Sequence, residues 1–205
     1  MAGTSRPRQQ ADFHSIQFQF FESATMTIQT AHLLNLRTDP AIEAVAEVDP
    51  QSLKGALRQL AGGVSIITTG ADLERTGATV TSATALSVHP PRMLVSLNKT
   101  SSTWPVLQKH GTFAVNVVGA RHQQLANQFA GVGGLKGVER YNGADWTSLV
   151  SGAPVLEDAV AAIDCELEEA IERHSHVIII GRVLAVRSSQ GVSLAYVDGG
   201  YLRLD

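Results

Sequence analysis

Two short stretches carry the residue types most suited to binding chemistry. Residues 79–82 read TVTS, and residues 96–104 read SLNKTSSTW. In an extended chain side chains alternate, so Thr79 and Thr81 face one way and Val80 and Ser82 the other. One face can pack while the other offers hydroxyls, which suits a flat heterocycle with a polar edge, such as isoalloxazine. Threonine is also simply a good strand former, and that reading needs no ligand. In the second stretch Ser96, Asn98, Thr100, Ser101, Ser102 and Thr103 surround one cation, Lys99, just ahead of an expected helix. Free N–H groups and the positive end of a helix dipole there would suit a phosphate. The plainer alternative is that Ser102 or Thr103 only caps the helix.

Other ways of holding a nucleotide or running a reaction are missing. There is no G-x-G-x-x-G after a strand, no P-loop, no H-E-x-x-H and no G-x-S-x-G. His174 and His176 share a strand side but lack a third ligand, since His122 falls on an unrelated helix, so no metal site is expected. The glycine-rich GVGGLKG at 131–137 follows a helix instead of a strand and reads as a lid or connector. Glu166, Glu168, Glu169 and Glu172 read as a solvated face, and His110 as a cation at a helix C-terminus. Trp104 and Trp146 read as packing residues. Cys165 is the single cysteine; it excludes an internal disulfide, fits a reducing compartment and reads as a small core residue.

The elements that must position these residues follow from pattern. Residues 1–50 show scattered glutamines and no sustained period, and are expected to form an arm or loosely ordered leader, with Met26 a conceivable start; residues 51–205 form one domain. Residues 49–60, DPQSLKGALRQL, place Leu53, Ala56, Leu57 and Leu60 at helical spacing, ending at Gly62 and Gly63. Strands are expected in VSIITTG, in TGATVTSATALSV as one run, in RMLVSLN and in TFAVNVV. Helices are expected in SSTWPVLQKHG, ended by Gly111, and in ARHQQLANQFAG. VAAIDCELEEAIER satisfies both strand and helix periods; it is assigned as a strand because an antiparallel neighbour would cover HVIIIGRVLAV, and LAYVDGGYLRL supplies a last hairpin turned at DGG. Many strands with few short helices imply a mainly β protein, an antiparallel barrel or sandwich.

Across 205 residues, 44% are hydrophobic, 17% are charged and the formal charge is −3. That balance favours a globular protein over a disordered or nucleic-acid-coating one. No apolar run approaches the ~20 residues that span a bilayer, and the N-terminal stretch has no signal-peptide core, so the cytoplasm is the expected location.

Taken together, residues 77–104 with GTFAVNVV, QLANQFAG and HVIIIGRV resemble the flavin reductase-like family over roughly residues 52–205. The resemblance implies an FMN-binding split β-barrel, usually a homodimer, that reduces FMN or FAD with NADH or NADPH and often supplies a partner monooxygenase. It implies that Thr79, Val80, Thr81 and Ser82 line the ring and ribityl chain, that Ser96, Leu97, Asn98 and Lys99 continue that wall, and that Ser102 and Thr103 hold phosphate. Ala126, Asn127, Gln128 and Phe129 would close the pocket. Family members commonly carry Gly-Asp-His before the IIIG-like strand; here HSH stands, so His176 matches the histidine near the nicotinamide while His174 and Ser175 replace the other two. Tyr201 matches a late-strand aromatic near the active site. Outside that assignment stand a non-catalytic flavin-binding module and a split-barrel reductase with a corrinoid or ferric acceptor.

Overall fold

The computed structural model describes residues 46–204. The leader expected over residues 1–50, Met26 included, lies almost wholly outside the described residues. The chain divides between Asp49 and Pro50, and the sheets and helices among the described residues lie in the second unit.

Twelve strands and three α-helices make up this unit: α1 (Pro50–Leu57), β1 (Gly62–Gly63), β2 (Ser65–Thr69), β3 (Thr76–Val80), β4 (Thr84–Val88), β5 (Pro91–Asn98), α2 (Thr103–His110), β6 (Thr112–Val117), α3 (Gln123–Phe129), β7 (Trp146–Ser148), β8 (Pro154–Leu156), β9 (Ala161–Arg173), β10 (His176–Ser188), β11 (Ser193–Val197) and β12 (Gly200–Leu204). The main sheet has seven strands in the order β3-β2-β6-β9-β10-β5-β4, every pair antiparallel. A smaller sheet runs β1-β11-β12. The mainly β, antiparallel expectation holds, and so does the strand assignment of residues 161–173, which pair with β10 from end to end.

One expected strand is two. TGATVTSATALSV breaks after Val80, and its halves β3 and β4 lie on opposite edges of the seven-stranded sheet. Only residues 81–83 join those edges, so the sheet must curl until they approach each other. The alternation expected across Thr79, Val80, Thr81 and Ser82 therefore ends at Val80. Ser82 closes the seam instead: its hydroxyl donates to the Ser96 carbonyl (2.8 Å) and accepts from the Ser96 N–H (3.2 Å). Both contacts go to the backbone of the same residue, Ser96 on β5.

Both faces of the sheet are covered, which explains the unbroken burial of β2. Ile67 packs with Val95, Leu97, Trp104, Leu107, Phe113, Cys165 and Ile179 on one side, while Ile66 packs with Val64, Leu125, Phe129, Tyr141 and Leu156 on the other. Each such aliphatic side chain contributes about 1.5–3 kcal/mol when fully buried. Gly181, inside β10, has its reason here. A Cβ at that position would stand 2.4 Å from the Phe113 ring. Burial, and then the Asp164 carboxylate, push the Cys165 thiol up to about 12, so it is an inert core group.

The expected first helix stops at Leu57, short of Gly62, and none of its residues is buried. Beyond it Arg58 is drawn to the hairpin between β11 and β12: its Nε and Nη2 donate to Asp198 Oδ1 (3.1 Å) and O (2.9 Å), and its carbonyl accepts from Asp198 N (2.6 Å). Among the described residues, no helix is long and apolar enough to cross a membrane.

Candidate flavin site

Strand β3 pairs with β2 alone, and three clefts meet along its free edge. The first, about 360 Å³, is lined by Thr79, Val80, Thr81, Ser82, Ser96, Leu97, Asn98 and His176. The second, about 630 Å³, runs past Ala78, Thr79 and Phe129 between Ser101 and Ser102 on one side and Arg75, Lys136 and Arg140 on the other. The third, about 370 Å³, adds Asn127, Val132, Tyr196 and Tyr201 to Thr79, Val80 and Thr81. Thr79 lines all three.

The wall is set by close contacts between β3 and the elements after it. Thr79 Oγ1 donates to the Ala126 carbonyl at 2.6 Å, tying α3 to the strand. Two residues earlier Gly77 lets the Phe129 ring lie against the backbone, where a Cβ would be 2.7 Å from that ring. Arg140 Nη1 donates to Gly77 O (2.6 Å) and its Nε to Leu135 O (2.9 Å), so one guanidinium pins the 131–140 loop to the strand edge. The Tyr141 hydroxyl donates to Thr76 O at 2.6 Å, and burial pushes its phenol pKa up.

The serine-rich loop folds on Asn98, whose Oδ1 accepts from Thr100 N (2.9 Å) and Thr100 Oγ1 (2.8 Å). That turn makes Ser101, not Ser102 or Thr103, the residue whose hydroxyl caps the helix start: Thr103 N donates to Ser101 Oγ at 3.2 Å. Ser102 already has helical angles, φ −61° and ψ −14°, so its hydroxyl cannot reach back and instead lines the large cleft. Thr103 is fully buried, its hydroxyl has no partner, and it lines none of the three clefts.

Lys99 stands apart from these walls. Its N–H donates to Ser175 O (2.9 Å), extending the β5–β10 ladder, and its ammonium lies 3.3 Å from Glu172 Oε2. It lines none of the three clefts, whereas Arg75, Lys136 and Arg140 line the largest. Those three cations carry no periodic signal. Their only mark in the sequence is adjacency, ERTG just before the TVTS strand and LKGVER just after the glycines. Ala126 is buried and offers its carbonyl, Asn127 and Phe129 line separate clefts, and Gln128 lines none of them.

His176 begins β10 opposite Asn98, and the Ser175 hydroxyl sits 2.9 Å from its Nδ1. Tyr201 lies across the Thr79–Thr81 wall from it, its ring edge-on to Tyr196 at 5.2 Å between centroids. His174 occupies the hairpin between β9 and β10 at φ +47°, a left-handed conformation that favours glycine. His174→Gly is therefore expected to raise stability by about 1 kcal/mol, read as a higher denaturation midpoint; an unchanged or lower midpoint would show that no strain resides there. Among the described residues no group of three or more His, Cys, Asp or Glu converges as a metal site requires.

A family model described as "Flavin reductase like domain" matches residues 57–205. The chain belongs to this family. Among related proteins, the FMN reductase (NADH) RutF of Yersinia enterocolitica is 34% identical over 177 residues, covering 86% of this chain and 96% of that one. The NADH:FAD oxidoreductase SgcE6 of Streptomyces globisporus, solved with NAD and FAD fragments, is 28% identical with a TM-score of 0.70 over 78% of this chain and 98% of its own. BorF, the flavin reductase component of a bacterial two-component tryptophan halogenase, is 28% identical with a TM-score of 0.70 over 76% and 98%. The family's split barrel corresponds to the seven-stranded sheet, with Ser82 at its seam.

Proposed function

We propose that this chain is an NAD(P)H-dependent flavin reductase that binds FMN or FAD along β3 and passes the reduced flavin to a partner oxygenase. The observation that carries the reading is the convergence of the Thr79, Ser82, Ser96, Ser101 and Ser102 alcohols on contiguous clefts at one free strand edge. The clefts fit the molecule in kind. One is smaller and lined by short alcohols and backbone, as a ring with a polar edge requires; the next is larger and cationic, as a phosphate requires.

A bound flavin would supply the redox chemistry, as the hydride acceptor for a reduced nicotinamide. The residues of this chain align the two rings and exclude water, with no side-chain nucleophile required. The Thr81 and Ser96 hydroxyls and the backbone of Thr81 and Ser82 would face the ring's polar edge, where negative charge builds on reduction, with Ser82's hydroxyl held by Ser96. His176, held by Ser175, would orient the nicotinamide, and Tyr201 would approach from the opposite side of the wall.

The same reading takes residues 1–50 as a leader and residues 51–205 as the reductase domain, places the protein in the cytoplasm, and makes it a homodimer. In support of the last, edge strand β4 exposes Leu86 and Val88. A monomeric mass by light scattering would remove the dimer.

Steady-state oxidation of NADH and NADPH with FMN and FAD, in all four combinations, tests the function. Flavin-dependent turnover is expected; a bound yellow chromophore without turnover would instead indicate a carrier, and turnover only with a corrinoid or ferric acceptor would redirect the assignment. His176→Ala is expected to raise the nicotinamide KM about 10-fold with little change in kcat. Wild-type nicotinamide kinetics in that variant would take His176 out of the site.

A further inference from the structure

The largest cleft holds more positive charge than the fold itself uses. Arg75 comes from the turn before β3, and Lys136 and Arg140 come from the loop after α3. None of the three forms an ion pair with a carboxylate among the described residues. The single acid on the cleft wall, Glu74, is turned to other partners: Lys109 Nζ at 2.7 and 2.8 Å and His110 Nε2 at 3.0 Å. Arg75 lies over the Tyr141 ring, 4.5 Å from its centroid, and its Nε is buried with no hydrogen-bond partner. Arg140 is spent partly on the backbone of Gly77 and Leu135. Like charges converging without a counter-charge repel one another, and a multiply charged anion removes that cost while gaining charge-assisted hydrogen bonds. Facing the cations across the cleft are Thr100, Ser101 and Ser102; the Thr100 hydroxyl is spent on Asn98 Oδ1, while those of Ser101 and Ser102 keep their protons for an anion.

The cleft is also contiguous with the ring-sized one. Both are lined by Ala78, Thr79 and Ser101, so a molecule whose flat end lies beside Ser82 and Ser96 projects its tail toward Lys136. We propose that Arg75 and Lys136, braced by Arg140, are the determinants that select phosphorylated flavins, binding the phosphate ester at the end of the ribityl chain in place of Lys99. This rests on the flavin-reductase reading of the same site. It assigns the selecting charge to a turn and a loop that flank β3 and leaves Lys99 a structural partner of Glu172.

Fluorescence titration of riboflavin, FMN and FAD against the wild-type chain, Lys136→Gln and Arg75→Gln tests it. Lys136 is exposed, so its variant is expected to fold like the wild type by circular dichroism, whatever Arg75→Gln does to the packing on Tyr141. Each variant should raise the Kd for FMN about 10-fold, leave riboflavin unchanged and flatten the salt dependence of FMN binding. A loss confined to FAD would overturn the assignment to the ribityl phosphate and move these cations to the second phosphate. Equal losses for riboflavin and FMN, or unchanged binding of FMN and FAD by Lys136→Gln, would overturn the proposal. Failure of the wild-type chain to bind any of the three would instead refute the flavin site itself.

Discussion

Gly77→Ala should cost about 3 kcal/mol of stability, at the upper end of what overpacking a tight core does, and should abolish tight flavin binding. The added Cβ would stand 2.4 Å from the Ile67 carbonyl and 2.7 Å from the Phe129 ring. A ring can rotate away, but the carbonyl belongs to β2, fixed between β3 and β6. The strand must therefore shift, and with it Thr79, which lines every cleft of the site and holds Ala126. Urea denaturation gives the stability and flavin titration the affinity. A variant within about 0.5 kcal/mol of the parent would show that β3 is free to move and is no rigid wall.

Arg140→Ala should lower flavin affinity about 100-fold, some 2.7 kcal/mol, and leave Arg140→Lys nearly as weak. The guanidinium reaches Gly77 O and Leu135 O at once, with its Nη1 and Nε. A lysine ammonium is a point charge that restores one contact but not the fork. Without the fork, the loop that carries Lys136 loses its tie to the strand edge, so the effect exceeds that of removing one charge. Full recovery of affinity in Arg140→Lys would reduce the residue's role to charge alone.

How far the site was legible in the sequence depends on whether each feature is set locally or by the whole sheet. Strand and helix types were readable from local pattern, down to the ambiguous 161–173 segment, because apolar alternation reports burial on a sheet face. The break at residues 81–83 was not, since it is imposed by closure of the whole sheet and not by any local breaker; small residues there permit it without announcing it. Ser82 was singled out for its hydroxyl, and its bonds to Ser96 are a long-range fact. Lys99 stood out because it sits among hydroxyls in the sequence, yet its ammonium follows the β5–β10 ladder to Glu172. Arg75 is far along the chain from Lys136 and Arg140 and meets them only through the fold.

The outer margin of β3 carries a wider meaning. Unpaired strand margins template other chains, and proteins usually blunt them. One such carbonyl is already taken by a side chain, since Thr76 O and Gly77 O point to opposite sides of the strand and accept from Tyr141 and Arg140, while the stretch beyond them lines the clefts. A nucleotide lying there would act as a surrogate neighbouring strand, so flavin supply would govern colloidal behaviour as well as turnover. Flavin-stripped protein should scatter light on warming sooner than flavin-saturated protein, and identical onset temperatures would contradict this.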